Sequence, residues 1–359
     1  MIVLTRRKKI IFSLVTMVLA FIATGVLFLI ADLVLHKRAE KSAGLNRYGY
    51  RGPVIGRKQS NELRVAMLGG STVFGYGVAW NESIPAFLEP KLQAQLGRPA
   101  TVVNLGYNNE GAYSFQPNLE DFAYLDYDVI VLYEGYNDLP GDEGPNRSVY
   151  RRSSAIFRTF GYFPILPLYL EEKARSWQFG DLNAAYDESR RKDGEKSQVV
   201  FQPGLAKRTG AAALQAISSI TTALDGQLEG NGAVPPAIKE SDSTTGCTTP
   251  YVTYCESVAA AVRYGLAHGQ GVVVGSQPRA MGEGLAHERH TRQQAMLAAM
   301  MERNFGREPR VAWADFSTLV DLTSIDATFD GMHLKPAANA AVAEALVAPV
   351  KKVAAAAKR

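Results

Sequence analysis

Cysteine is nearly absent from this chain: Cys247 and Cys255 are the only two among 359 residues. They form no CxxC pair, which removes the usual dithiol-redox and zinc-site readings. Both lie in one short polar segment, CTTPYVTYC. In an oxidising compartment the two can pair; in the cytosol they stand as free thiols. Histidine is almost as scarce, with five in all, so a site that needs an imidazole has few candidates. A basic surplus in the folded part is also missing. The formal charge of +4 comes from Arg6, Arg7, Lys8 and Lys9 alone, and the remaining acids and bases balance. A nucleic-acid-binding face normally carries an excess of Lys and Arg, so that class is excluded. Two nucleotide signatures fail as well. No lysine falls between Val65 and Pro90 to complete a phosphate-cradling loop. Gly75 and Gly77 are followed by Val78, Ala79 and Trp80, so no third glycine completes G-x-G-x-x-G.

What the chain does have is a charge-free run of 22 residues, 10–31 (IIFSLVTMVLAFIATGVLFLIA). As a helix it covers the hydrocarbon core of a bilayer, about 30 Å at 1.5 Å per residue. Asp32 then falls at the far interface, followed by His36, Lys37 and Arg38. A cleaved signal peptide is the rival reading, but its apolar stretch is shorter, about 7–15 residues, and ends at an A-x-A-like site. The longer run and the lack of such a site favour an uncleaved anchor. The four basic residues ahead of the run are matched in number by Lys37, Arg38, Lys41 and Arg47 after it. The first cluster is denser and sits on a very short tail, which places the N-terminus in the cytoplasm and the bulk of the chain on the periplasmic side of an inner membrane.

Beyond the run the pattern changes. Short apolar stretches at 65–68, 102–105, 129–133, 272–275 and 311–314 predict strands. Helical stretches at 84–96, 257–268, 289–304 and 336–347 fall between or after them. Five buried strands alternating with helices predict an α/β sandwich around a mainly parallel sheet. Residues 140–250 interrupt the alternation. They hold an aromatic, proline-punctuated stretch (160–170, FGYFPILPLYL), a charged one (188–196), a small-residue helix candidate (205–228) and a loop-like segment (230–249). Lid, added subdomain and decorated surface are the readings, with decoration favoured and the aromatic stretch packing on the sheet.

The sharpest chemical signal is a strand–turn–helix, VAMLGGSTVFGYG, in which Ser71 follows Gly69 and Gly70. In open α/β sheets ligands sit beyond the carboxyl ends of strands, where this serine falls. A nucleophilic serine needs a base and an orienting acid. His36 abuts the apolar run and His268 ends a helix. His287 and His290 lie three apart on a charged helix with no third metal ligand in view, which reads as a solvated face. His333 remains, in FDGMHLKP just before the last helix, with Asp330 three residues earlier and able to hold one ring nitrogen. Two other strand ends offer donors for a developing oxyanion: the Gly106 N–H in NLG and the Asn137 amide in GYND. Each alone also fits ordinary turn chemistry.

Together these four segments resemble the SGNH hydrolases, also called GDSL esterases and lipases. Gly-Gly-Ser71 matches the nucleophile block, Asn104-Leu-Gly106 the glycine block, Gly135-Tyr-Asn137-Asp138 the G-x-N-D block and Asp330-Gly-Met-His333 the D-x-x-H block, in that order. One departure is Gly70, where the family's namesake motif has Asp; Asp330 rather than that Asp completes the triad. The resemblance implies a flavodoxin-like, three-layer α/β/α sandwich with a mainly parallel five-stranded sheet, behind an N-terminal transmembrane helix. It implies Ser71 as nucleophile, His333 as base and then acid, and Asp330 as the orienting group. The Ser71 N–H, Gly106 N–H and Asn137 amide would hold the oxyanion, and no metal or organic cofactor is implied. Asn46-Arg-Tyr-Gly49-Tyr-Arg51-Gly52 also looks like the N-x-x-G-[FY]-R-G element ahead of the catalytic domain in some membrane-tethered members, with a substrate contact suggested for Arg51.

The expected organisation is a basic cytoplasmic tail (1–9), an anchor (10–35), a juxtamembrane linker (36–62) and a hydrolase domain (63–350) with the insertion at 140–250. The expected activity is that of a membrane-anchored serine esterase removing acyl groups, O-acetyl foremost, from an extracytoplasmic carbohydrate. An O-acyltransferase would use the same triad with a sugar hydroxyl in place of water. A non-catalytic glycan-binding protein on the same fold is the reading from another class.

Overall fold

The computed structural model describes residues 5–42, 44–139, 147, 149–180, 204–227, 238–279 and 285–357. The charged stretch 188–196 and residues 230–237 of the loop-like segment lie outside the described residues. The chain divides into two compact units, residues 40–153 with 231–359 and residues 1–39 with 154–230.

The first unit carries a five-stranded, all-parallel sheet. Its strands are β1 (Leu63–Leu68), β2 (Ala100–Asn104), β3 (Val129–Leu132), β4 (Gly271–Gly275) and β5 (Val311–Ala314), in the order β2-β1-β3-β4-β5. β1, β3 and β4 are buried at every position, as strands covered on both faces must be, which is why they read as apolar runs. Alternate side chains serve opposite faces. Val65, Met67, Val129, Val131 and Val273 share one core with Leu88 and Leu92 of the Ile84–Leu96 helix and Val342 and Leu346 of the Pro336–Ala357 helix. On the other face the Val252–Ala267 helix lies so close that a Cβ on Gly265 would meet Ile130 Cδ1 and Val272 Cγ2 at 2.8 Å. Three layers follow.

The strand order sets the position of the site. The chain steps from β1 outward to β2, then returns past β1 to β3. The segments after β1 and β3 therefore part at the carboxyl ends of neighbouring strands, where this sheet order opens a crevice.

Helix ends differ from the sequence reading where tertiary packing overrides local signals. The last helix runs through Pro349 to Ala357 rather than stopping at 347. The proline removes one backbone hydrogen bond, yet Val350 and Val353 beyond it are fully buried, and full burial of such side chains contributes about 1.5–3 kcal/mol each. The helix expected from 257 begins at Val252, with Cys255 inside it and disulfide-bonded to Cys247. Residues 44–52, expected as linker, belong to the sheet-bearing unit. Arg51 forms antiparallel bridges with Leu45 and with Asn104 at the end of β2, and Asn46 and Tyr50 are buried.

The second unit contains the N-terminal helix, Arg6–Ser42, up to residue 39, with the Ala155–Phe160, Leu166–Phe179 and Leu205–Gln227 helices. Arg6–Ala39 is long and apolar enough to cross a membrane by length and composition, with a mean hydropathy of 2.7 and nothing in its apolar stretch buried; a signal sequence would share those properties. Asp32 is buried and accepts hydrogen bonds from the Ile165 N–H at 2.9 Å, the Leu166 N–H at 2.5 Å and the Tyr162 hydroxyl. His36 Nε2 meets the Phe163 carbonyl at 2.8 Å. The aromatic stretch, expected to pack on the sheet, is thus held by the N-terminal helix. The expected insertion does not stay together: residues 154–230 belong here, while 150–153 and 238–250 lie with the sheet.

Candidate active site

β1 delivers Ser71. After Leu68 the chain passes through Gly69 and Gly70 into a short helix, Ser71–Phe74. Both glycines are there for closeness. A Cβ on Gly69 would lie 2.2 Å from the Tyr133 carbonyl oxygen, and one on Gly70 would lie 2.2 Å from Asn137 Nδ2 and 2.5 Å from Glu134 Oε2. Any side chain at 70 would collide with the Glu134 and Asn137 side chains that follow β3 and with the Glu110 carbonyl, so the aspartate of the GDSL motif has no room here.

The base arrives from the other end of the chain. Ser71 Oγ lies 2.8 Å from His333 Nε2, and His333 Nδ1 lies 2.7 Å from Asp330 Oδ2. The second carboxylate oxygen, Oδ1, accepts the His333 and Met332 backbone N–H groups at 2.8 and 3.1 Å. One aspartate therefore shapes the loop and orients the ring. Burial pushes the Asp330 carboxyl up, but the N–H donors and the imidazole outweigh it and hold it below the ordinary carboxylate range. An ionised carboxylate only accepts hydrogen bonds, so Nδ1 carries the ring proton and Nε2 is left to accept from the Ser71 hydroxyl.

The two further donors expected from sequence are placed differently. The Asn137 Nδ2 donates to the Glu110 carbonyl at 3.0 Å, which leaves its second hydrogen for a ligand. The Gly106 N–H is turned onto Asn104 Oδ1 at 3.1 Å, so it reaches an oxyanion only by sharing or leaving that bond. Gly106 also packs tightly: a Cβ there would lie 2.5 Å from the Phe74 backbone nitrogen.

Arg51 does not extend toward a substrate. It is 5% exposed and donates to the carbonyls of Phe74, Gly75 and Val78, the last two at 2.6 Å. It thereby holds the turn that follows the nucleophile. His290 departs from its expected solvated face. It is buried, stacked on Tyr136 with ring centroids 4.2 Å apart, and burial first, then His287 and Arg279, push its pKa down to about 4. Three residues that sequence reasoning missed complete the surroundings. Tyr76 lies against the His333 ring at 4.7 Å, Arg151 is fully buried beneath the Gly106 turn, and Glu134 sits behind Ser71. A large aromatic set between Gly75 and Gly77, five residues after Ser71, was a usable signal for Tyr76; nothing local marked Arg151 or Glu134.

A parallel α/β sheet with serine, imidazole and carboxylate in hydrogen-bonded series at its carboxyl edge defines a serine hydrolase. The sequence model of the GDSL-like Lipase/Acylhydrolase family matches residues 67–225, a span that includes Ser71, Gly106 and Asn137 and ends before Asp330. No curated protein matches the chain. Solved structures similar to it include an alpha/beta hydrolase enzyme from the metagenome of Lake Arreo, Spain (12% identity, TM-score 0.43, covering 81% of this chain and 96% of that one). They also include a family 3 carbohydrate esterase of Clostridium thermocellum (12%, 0.39, 82% and 98%). An acetylxylan esterase of Geobacillus stearothermophilus is a third, in the form of a catalytic mutant (11%, 0.40, 80% and 94%).

Proposed function

We propose that this protein is a membrane-anchored serine esterase that removes acyl groups, O-acetyl foremost, from an extracytoplasmic carbohydrate. The observation that carries the chemistry is the relay from Ser71 Oγ through His333 to Asp330, at 2.8 and 2.7 Å. Ser71 Oγ attacks the ester carbonyl carbon as its proton passes to Nε2, and Asp330 stabilises the imidazolium that forms. The Ser71 N–H and the free hydrogen of the Asn137 amide face the developing oxyanion, each such donor being worth on the order of 3 kcal/mol. The imidazolium then protonates the departing sugar oxygen. Water, deprotonated by the same nitrogen, attacks the acyl-enzyme, and the carboxylic acid leaves with Ser71 restored.

The apolar helix and the basic cluster before it support an anchor with a cytoplasmic N-terminus and a periplasmic catalytic unit. The balanced charge of the folded part suits an uncharged polyol ester better than a polyanionic substrate. The test uses the full chain in detergent with a fluorophosphonate probe. Labelling is expected in the wild type and absent in Ser71→Ala, with the melting temperature unchanged. Acetate release from O-acetylated oligosaccharides should then exceed hydrolysis of long-chain acyl esters. Unlabelled but folded wild type would sink the reading. Acetyl groups passed to an added sugar instead of water would reassign the protein as a transferase.

A further inference from the structure

Three N–H groups from two active-site loops converge on a single buried carboxylate. Glu134 is 3% exposed. Its Oε2 accepts the Gly70 N–H at 2.5 Å, and its Oε1 accepts the Gly135 and Asn137 N–H groups at 2.9 and 3.0 Å. One oxygen thus holds the peptide immediately before the nucleophile. The other holds the backbone of the residue whose amide points to the oxyanion side. The bare Cα of Gly70 makes this possible, since a Cβ there would displace both Glu134 Oε2 and Asn137 Nδ2.

We infer that Glu134 is a positioning residue of the hydrolase site, whose carboxylate fixes the spacing between the Ser71 turn and Asn137 and so the geometry of the oxyanion donors. The inference rests on the esterase reading above. Only the ionised form serves all three N–H groups. A protonated acid or an amide turns a donor toward one side of the gap and leaves N–H facing N–H or O–H. The titratable groups around Glu134 are acids and phenols: Asp138, Tyr133, Tyr136 and Tyr254. Tyr254 Oη donates to the Glu134 backbone carbonyl at 2.7 Å, and His290 lies beyond Tyr136, stacked on its ring. Burial pushes the Glu134 carboxyl up to about 7 against the pull of its N–H partners. As pH falls through neutrality the tie is therefore lost.

The test is steady-state hydrolysis of p-nitrophenyl acetate by the full chain in detergent, from about pH 5 to 9, the range that brackets an imidazole base. Wild type, Glu134→Gln and Glu134→Asp are compared. Glu134→Gln is expected to lower kcat by about tenfold to a hundredfold, the scale of a misplacement near 1 Å. KM should change little, and the acid limb should become shallower. Glu134→Asp keeps the charge but cannot span both loops, so its kcat should fall between the two with the steep acid limb retained. A folded Glu134→Gln with wild-type kcat and acid limb overturns the inference. If that variant fails to fold, Glu134→Asp decides, and an unchanged kcat overturns it. A wild type that neither hydrolyses the ester nor takes the fluorophosphonate probe removes the esterase reading and this one with it, an outcome distinct from active wild type beside equally active Glu134→Gln.

Discussion

A histidine buried with no hydrogen-bond partner on either ring nitrogen, as His290 is among the described residues, ties stability to pH. Its pKa is pushed down to about 4 by burial, then by His287 and Arg279, whereas an unfolded imidazole titrates near 6.5, about 2–3 units higher. Between those values the unfolded chain binds the extra proton, so His290 weakens the fold as pH drops through that window. The loss attributable to it is on the order of 2 kcal/mol at about pH 5. Glu134 and Asp138, both raised, act in the opposite sense, because the folded chain holds their protons more tightly. A single variant separates the contributions. His290→Phe keeps a ring against Tyr136 and should lose less melting temperature than the wild type between pH 7.5 and 5. Equal losses would mean that the imidazole is protonated or hydrated in the folded state. The sequence could not announce this residue. HERH on a charged helix reads as a wet face, and only the partner across the fold, Tyr136, makes one of its two histidines interior. The same limit hid Glu134, since a carboxylate beside a G-x-N-D turn looks like turn chemistry until its burial is known. Ser71, Asp330 and His333, by contrast, each sit in a short local pattern that singles them out, and the structure brings the three into one hydrogen-bonded series.

At the scale of elements, the segment 44–52 changes role most between sequence and structure. Arg51 from this strap holds the carbonyls that follow the nucleophile. Arg151 reaches the strap from the opposite direction, donating to the Gly49 carbonyl at 2.7 Å and to those of Leu105 and Gly106 at 2.7 and 3.1 Å. Its remaining nitrogen lies 3.6 Å from Glu110 Oε2, and the Glu110 carbonyl is the acceptor for the Asn137 amide. The strap, the Gly106 turn and the Asn137 loop therefore share one buried ion pair. Removing one partner of such a pair leaves the other charged and unpaired, at a cost of about 3–5 kcal/mol. Arg151→Met should lower urea stability by about that much, and Glu110→Gln added to it should restore part of the loss. Additive losses in the double variant would mean that the two side chains act separately. No periodicity encodes a strap that docks on a strand through a single bridge, Arg51 to Asn104, 53 positions apart. The strands were readable for the converse reason. Parallel strands buried on both faces concentrate β-branched residues, and the expected 129–133 and 311–314 fall within a residue of Val129–Leu132 and Val311–Ala314.

At the scale of the whole molecule, the apolar helix and the two cysteines bear on one question, the compartment of the sheet-bearing unit. The disulfide between Cys247 and Cys255 persists outside the cytoplasm and is reduced within it. The basic cluster ahead of the helix argues for the same side by an independent route, since positive flanks stay cytoplasmic. The proposed orientation therefore makes two linked predictions that can fail separately. Denatured in the absence of reductant, the full chain should take no maleimide–polyethylene glycol, and after reduction it should take two. Both cysteines are buried when folded, so sidedness needs an exposed reporter, and Lys352→Cys on the last helix supplies one. An impermeant maleimide should label it in intact spheroplasts. Labelling of Lys352→Cys together with free native thiols would keep the orientation and remove the disulfide. A reporter reached only after lysis would place the catalytic unit in the cytoplasm, and with it the search for a substrate would move from exported carbohydrate to soluble esters.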